Sequence, residues 1–166
     1  QNIAYLNSAN RIIKIISIEP NPTNVDRLKK NIILLKSKIK NIKKLVKIIN
    51  CAVDKNNYEK KLDFSNGLAN GYISNNKNNK NTIRVNCKKL NDIIKEENIK
   101  YITNLKIDIE GYEDRALIPF FKTAKKSLFP KNILLEHSSS KLWKKDLIKF
   151  LFKKGYKVVF KNKSNL

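Results

Sequence analysis

Short apolar segments alternate with helical patterns along the chain, and this alternation constrains the fold more than any other feature. Ile12–Ile18 and Leu45–Val53 are apolar and rich in β-branched residues, as buried strands are. Between them, apolar residues recur every three or four positions: Val25, Leu28, Ile32, Leu35 and Ile39. This spacing predicts an amphipathic helix, which Asn21 or Thr23 can cap. Repeated alternation predicts an α/β fold, with a mostly parallel sheet and helices on both faces.

The rest of the sequence continues the alternation. Further strands are predicted at Lys60–Phe64, Thr82–Cys87, Thr103–Ile109, Asn132–Glu136 and Tyr156–Phe160. Further helices are predicted at Leu90–Glu96, Tyr112–Lys126 and Lys141–Lys154. Asn66–Asn81 is crowded with Asn and Gly and is predicted to be a long loop, either a lid over a substrate or a tolerated insertion. No repeat or linker divides the sequence, so a single domain over residues 1–166 is expected.

The charge balance raises the question of nucleic-acid binding. The formal net charge is +22, from 36 basic and 14 acidic side chains. However, only four of the basic residues are Arg, which reads bases and phosphates better than Lys, and the Lys residues are spread along the whole sequence. A solvated Lys-rich surface is therefore favoured over a dedicated nucleic-acid face, which stays open as the alternative.

Several other classes of protein are disfavoured by composition. No apolar run approaches the roughly 20 residues that a membrane helix needs, so no membrane span is expected. Cys51 and Cys87 form neither a disulfide framework nor a Cys-x-x-Cys pair, which fits a reducing, cytoplasmic setting. With one His and no Cys cluster, no metal site is expected.

Polar residues at the carboxyl ends of the predicted strands are the candidate site residues, because ligands of open α/β sheets bind there. The carboxylate of Glu19 could accept both hydroxyls of a ribose, or it could favour the following helix through the helix dipole. His137 follows the strand at Asn132–Glu136. It could act as a general base, although a lone His there is more often a hydrogen-bonding residue. Glu113 and Asp114 are expected to stabilise the dipole of their own helix and no more.

The segment Lys106–Gly111 carries the most informative pattern, because three charged residues alternate with apolar ones. Lys106 and Asp108 share one face of the strand and could pair with each other. Alternatively, Asp108 and Glu110 open into an active cleft, since buried charges must be paired or reach water. Gly111 would then let the chain turn tightly into the next helix.

Taken in order, these segments resemble the FkbM family of methyltransferases. The matching elements are Ser17–Asn24 with its Glu-Pro-Asn-Pro, Asn50–Val53, Leu90–Asp92, Lys106–Glu113 and Ile133–Glu136. The Lys-x-Asp-x-Glu-Gly-x-Glu pattern of Lys106–Glu113 is the most specific of them. The resemblance implies the three-layer, Rossmann-like class I methyltransferase fold, with its first strand and Gly-rich loop upstream of residue 1. It also implies S-adenosylmethionine as the cofactor.

The resemblance further implies roles for individual residues. The cofactor would be bound by Glu19, Pro20 and Asn21 at the ribose, by Cys51, Ala52 and Val53 at the adenine, and by Asp108 near the methionine end. Members of the family mostly methylate oxygen, so the implied acceptor is a hydroxyl of a small molecule or glycan. Asp108, Glu110 or His137 could take the proton of that hydroxyl.

Three other functions remain as alternatives. A methyltransferase that acts on RNA would use the Lys-rich surface, and its binding would weaken steeply with salt. A non-catalytic α/β binding module would keep the sheet without the cofactor. An NAD-dependent Rossmann enzyme would also use Glu19 to bind the hydroxyls of a ribose, but this alternative leaves the Lys106–Glu113 pattern unexplained. No pattern in the sequence predicts an oligomeric state.

Overall fold

The computed structural model describes residues 14–37, 42–63, 72–73 and 82–166. The chain divides into two compact units. The first unit is Gln1–Ala52 with Lys60–Asn86, and the second unit is Val53–Glu59 with Cys87–Leu166. The expectation of a single domain stays a prediction. Within the described segments, no helix combines the length and the apolarity needed to cross a membrane.

The described part of the first unit contains a parallel strand pair and an amphipathic helix. Strand β1 (Ile15–Ile18) pairs in parallel with β2 (Val46–Ile49). Helix α1 (Pro22–Leu34) begins where predicted, because the Asn21 side chain accepts the Thr23 backbone N–H at 2.9 Å. Two residues of the predicted apolar stripe are buried, Val25 and Ile32, whereas Ile39 lies outside the described residues.

The predicted strand Leu45–Val53 is wrong as one continuous element. Its first residue ends a short helix, α2 (Ile42–Leu45), and the strand is then split into β2 and β3 (Ala52–Val53). The break falls at Asn50 and Cys51, where the Cys51 N–H donates to the Ile49 carbonyl at 3.2 Å. This tight turn ends the ladder, so an apolar run alone did not fix the length of the strand.

A four-stranded sheet has the order β3-β6-β4-β5 and includes β4 (Tyr58–Asp63), β5 (Tyr72–Ile73) and β6 (Thr82–Lys88). Strands β4 and β5 are antiparallel. The prediction of a loop over Asn66–Asn81 is therefore wrong at Tyr72–Ile73, where an aromatic and a β-branched residue form a strand. The rest of that predicted loop lies outside the described residues.

The second unit contains a parallel strand pair and three α-helices. They are α3 (Leu90–Glu96), β7 (Asn104–Ile107), α4 (Glu113–Thr123), β8 (Asn132–Leu135) and α5 (Leu147–Lys153). Strand β7 pairs in parallel with β8, with Ile107 opposite Leu135. The core between strands and helices includes Leu117, Phe120 and Phe121. The mixed α/β class with parallel strand pairs confirms the predicted fold class.

Two predicted elements near the end of the chain are wrong. The helix predicted at Lys141–Lys154 is interrupted before α5, because Asp114 Oδ2 accepts the Lys144 and Lys145 backbone N–H groups at 3.0 and 3.2 Å. The strand predicted at Tyr156–Phe160 does not form. Leu166 instead exchanges backbone hydrogen bonds of 2.8 and 2.9 Å with Leu135, so Leu166 lies along the edge of β8.

Candidate active site

Glu19 lies at the carboxyl end of β1, as predicted. Its backbone N–H donates to the Ile49 carbonyl at 3.1 Å, and its Oε1 accepts the Asn21 N–H at 2.8 Å and the Asn24 amide at 3.5 Å. No described residue donates to the second oxygen, Oε2. One oxygen of the carboxylate therefore stabilises the start of α1.

Asn50 brings the ends of β1 and β2 together. Its amide donates to the Glu19 carbonyl at 2.8 Å and to the Pro20 carbonyl at 2.9 Å. Cys51, which is 1% exposed, follows directly. Of the predicted cofactor residues, those in the first unit are Glu19, Pro20, Asn21, Cys51 and Ala52. Val53 belongs to the second unit and packs against its core.

The turn after β7 requires unusual backbone geometry. Glu110 and Gly111 have φ of 56° and 88°, both in the left-handed region. A Cβ on Gly111 would lie 2.8 Å from Leu142 Cδ1 and 3.1 Å from the Ser139 carbonyl oxygen. Both the backbone angle and the close approach therefore favour glycine at Gly111, as the sequence predicted.

Glu113 builds this turn, and the prediction that it acts only on the helix dipole is wrong. The side chain is 0% exposed. Its Oε1 accepts the Ile109 and Gly111 backbone N–H groups at 2.8 and 3.2 Å, and its Oε2 accepts Trp143 Nε1–H at 2.7 Å. A buried carboxylate thus fixes the segment that carries Asp108 and Glu110. The Trp143 partner, 30 residues away, could not be read from the sequence.

Asp108 and Glu110 differ in their surroundings. Asp108 Oδ2 lies 3.5 Å from Lys106 Nζ, in an ion pair whose side chains are 43% and 33% exposed. Such exposed pairs contribute little to stability. Burial raises the pKa of Glu110, and the nearby negative charges raise it further, in the order Asp108, Glu136 and Glu113. The second unit therefore holds a group of carboxylates after β7 and β8.

Glu136 and His137 follow β8. The Glu136 N–H donates to the Ile107 carbonyl at 3.0 Å, which continues the pairing of β8 with β7. Glu136 Oε1 accepts the Ser138 N–H at 2.7 Å and also the Ser138 hydroxyl. The His137 N–H donates to the Ser164 carbonyl at 2.8 Å, and its Nε2 lies 3.3 Å from the Asn162 carbonyl oxygen. These contacts favour the hydrogen-bonding interpretation of His137.

An ion pair that the sequence reasoning missed fixes the start of α4. Arg115 donates from Nε and Nη2 to the two oxygens of Asp54, which is 2% exposed. The Tyr58 hydroxyl also bonds to Asp54, and burial and this carboxylate raise the pKa of Tyr58. The Arg115 guanidinium lies 4.8 Å from the centre of the Tyr112 ring. The one sequence feature that could have indicated this ion pair is the presence of an Arg in a chain whose basic residues are mostly Lys.

A cavity of about 320 Å³ lies beside α3 and α4. Its lining includes four lysines: Lys55, Lys89, Lys122 and Lys145. None of the described residues that line it is a predicted site residue. The strand ends, rather than this cavity, hold the chemically suited side chains.

Comparison with known proteins gives two matches of different kinds. The profile of the methyltransferase FkbM domain matches residues 2–158. The crystal structure of methyltransferase FkbM from Methylobacillus flagellatus KT matches with a TM-score of 0.57 at 16% sequence identity. That match covers 92% of this chain but 32% of the other, so the chain spans about a third of that protein's length. At this identity the likeness supports the fold alone. Comparison with curated proteins gives no match.

Proposed function

The chain belongs to the FkbM methyltransferase family, and from that premise we propose that it binds S-adenosylmethionine and methylates a hydroxyl oxygen of a small molecule or sugar. The observation that supports the cofactor assignment most strongly is the hydrogen bonding of the Glu19 carboxylate. Its Oε1 is used by the turn into α1, while no described residue donates to Oε2. A carboxylate at a strand end with one available oxygen fits the hydroxyls of a ribose.

The other cofactor contacts follow from the family resemblance. Pro20 and Asn21 would support the ribose end, and Cys51, Ala52 and Val53 would lie against the adenine. Asp108 would lie near the methionine end. S-adenosylmethionine, when bound, supplies an electrophilic methyl group, so the protein mainly has to orient the acceptor oxygen.

One side chain of the second unit would take the proton of the acceptor hydroxyl. The candidates are Asp108, Glu110 and His137. Glu110 is favoured, because its raised pKa brings a carboxylate closer to the range in which a general base works best. The His137 ring is already placed beside the Asn162 carbonyl, which makes it the weaker candidate.

Equilibrium dialysis with labelled S-adenosylmethionine tests the cofactor assignment. Replacement Glu19→Gln is expected to weaken binding by about 10-fold or more, because hydrogen bonds to a charged acceptor are lost. Asp26→Asn is the matched control, since Asp26 is exposed, lies on α1 in the same unit and pairs only at the surface with Lys29. Equal affinities of the two variants for S-adenosylmethionine would show that Glu19 does not bind the cofactor.

A further inference from the structure

The cavity beside α3 and α4 collects lysines from four separate segments of the second unit. Lys55 follows β3, and Lys89 directly precedes α3. Lys122 lies on α4, and Lys145 comes shortly before α5. Because these positions are far apart in the sequence, it is the fold, and not a run of lysines, that brings them to one concave surface.

Hydrogen bonds fix the backbone of the segments that carry these lysines. The Lys89 N–H donates to Asn57 Oδ1 at 2.8 Å. The Lys145 N–H donates at 3.2 Å to Oδ2 of Asp114, a side chain that is 3% exposed. Lys122 belongs to the last turn of the regular helix α4. The lining is therefore preorganised, and a ligand does not have to order it on binding.

The positive charge of the cavity is not neutralised within the described part of the chain. None of its four lysines forms an ion pair with a described carboxylate. Among the described lining residues, Asp54 carries the one carboxylate, and Arg115 binds both of its oxygens. A concave surface lined by charges of one sign focuses its field and raises the local concentration of counter-ions.

A smaller cavity of about 190 Å³ continues this positive surface along α5. The two cavities share Lys122 and Lys145, and the smaller one adds Lys149 and Lys153. The last two lie four residues apart on α5 and so share one face of the helix. Asp146, also in this lining, caps α5 by accepting the Lys149 N–H at 2.9 Å. The two cavities and their six lysines together are called the basic groove below.

We propose that the basic groove binds a small molecule that carries two or more phosphate charges, such as a pyrophosphate ester. Lys binds phosphate as a point charge, whereas Arg, which suits planar carboxylates, does not occur among the described lining residues. Several ammonium groups without a counter-charge favour a multiply charged anion over a single carboxylate. Leu90, Ile118 and Pro119 add apolar contacts for the uncharged body of the ligand. The site is distinct from the residues proposed for methyl transfer and does not depend on that function.

The lining favours a small ligand over a strand of nucleic acid. Single-stranded nucleic acids stack their bases on accessible aromatic side chains. The aromatic residues that line the groove are Phe120, which is 1% exposed, and Phe150, which packs against the hydrophobic core. The larger cavity, of about 320 Å³, also has the size of a small-molecule site.

Calorimetric titration of the full chain with inorganic pyrophosphate, at an ionic strength of about 0.15 M, tests the proposal. The test variant Lys122→Gln/Lys145→Gln removes the two lysines that both cavities share. The control Lys157→Gln/Lys161→Gln removes the same charge from exposed residues of the same unit outside the lining. We expect the test variant to bind pyrophosphate at least about 10-fold more weakly, and the control to stay within about 2-fold of the wild type.

Two results would overturn the site. One is a wild type that binds no pyrophosphate, and the other is an equal loss of affinity in the test and control variants. Thermal unfolding of each variant checks that it folds, which the exposure of all the replaced side chains favours. Lys55→Gln/Lys89→Gln, in the same lining, is a second test variant with the same expected loss.

Titration of the same variants with a single-stranded oligouridine RNA distinguishes the two classes of ligand. RNA held only by the dispersed positive charge of the surface should lose affinity equally in the test and control variants. A loss of RNA affinity confined to the test variants would overturn the small-molecule assignment and indicate a nucleic-acid face instead.

Discussion

Arg115 forms a bidentate ion pair with Asp54, which lies 61 residues earlier in the sequence, with Nε 3.0 Å from Oδ1 and Nη2 2.9 Å from Oδ2. Arg115→Ala would remove a two-point ionic contact from a carboxylate that is 2% exposed. We expect a loss of about 3–5 kcal/mol in the free energy of unfolding, measured by urea denaturation. Lys88→Ala breaks the exposed pair with Glu96 and should cost less than about 1 kcal/mol. Similar losses in the two variants would show that the Arg115 pair is no stronger than a surface pair.

Gly111 and Gly155 provide a matched pair of left-handed glycines, with φ of 88° and 92°. A Cβ at Gly155 meets nothing within 4 Å, whereas one at Gly111 meets Leu142 at 2.8 Å. Gly155→Ala should therefore lower the free energy of unfolding through backbone strain alone, by about 1–2 kcal/mol. Gly111→Ala adds a steric overlap and should cost about 2–4 kcal/mol in the same denaturation experiment. Equal costs would contradict the packing seen at Gly111.

The bond between Glu113 and Trp143 can be isolated by a double-mutant cycle. Glu113→Gln replaces a carboxylate that accepts three N–H groups, and Trp143→Phe removes the indole donor. We expect a coupling energy of about 1.5–3 kcal/mol, as for hydrogen bonds to charged acceptors. Strictly additive effects on the free energy of unfolding would mean that the two side chains do not act together.

The raised pKa of Glu110 predicts a specific dependence of stability on pH. The folded state holds the Glu110 proton to higher pH than the unfolded state, so stability falls as pH rises from the unfolded pKa through the folded one. The facing groups are Asp108, Glu113 and Glu136, with Lys106 paired to Asp108. Glu110→Gln should therefore raise the melting temperature at neutral pH, and the gain should vanish at acid pH. A gain that is constant across the pH range would refute the assignment to Glu110.

Local patterns predicted part of this fold correctly. The bounds of α3, Leu90–Glu96, and the cap of α1 at Asn21 follow from apolar spacing and from cap chemistry, which act over a few residues. The Tyr156–Phe160 segment has the composition of a strand but forms none, whereas Leu166 pairs with Leu135 of β8. That pairing is a tertiary contact and leaves no local signal.

The residues of the candidate site likewise include some that local sequence patterns indicate and some that they do not. Asp108, Glu110 and Gly111 could be singled out because charge alternates along a strand and a glycine follows. Glu113 was undervalued, because its partners include a backbone turn and the distant Trp143. The Asp54–Arg115 pair was missed, because neither residue stands in a motif. Residues that position a site depend on contacts that form only when the chain folds.

The most direct test of the central claim is calorimetric titration of the wild-type chain with S-adenosylmethionine, S-adenosylhomocysteine and NAD. We expect saturable binding of one equivalent of the first two ligands, each displacing the other, and no binding of NAD. Absence of binding for both sulfur ligands, or equal binding of NAD, would contradict the assignment of this chain as a cofactor-binding methyltransferase domain.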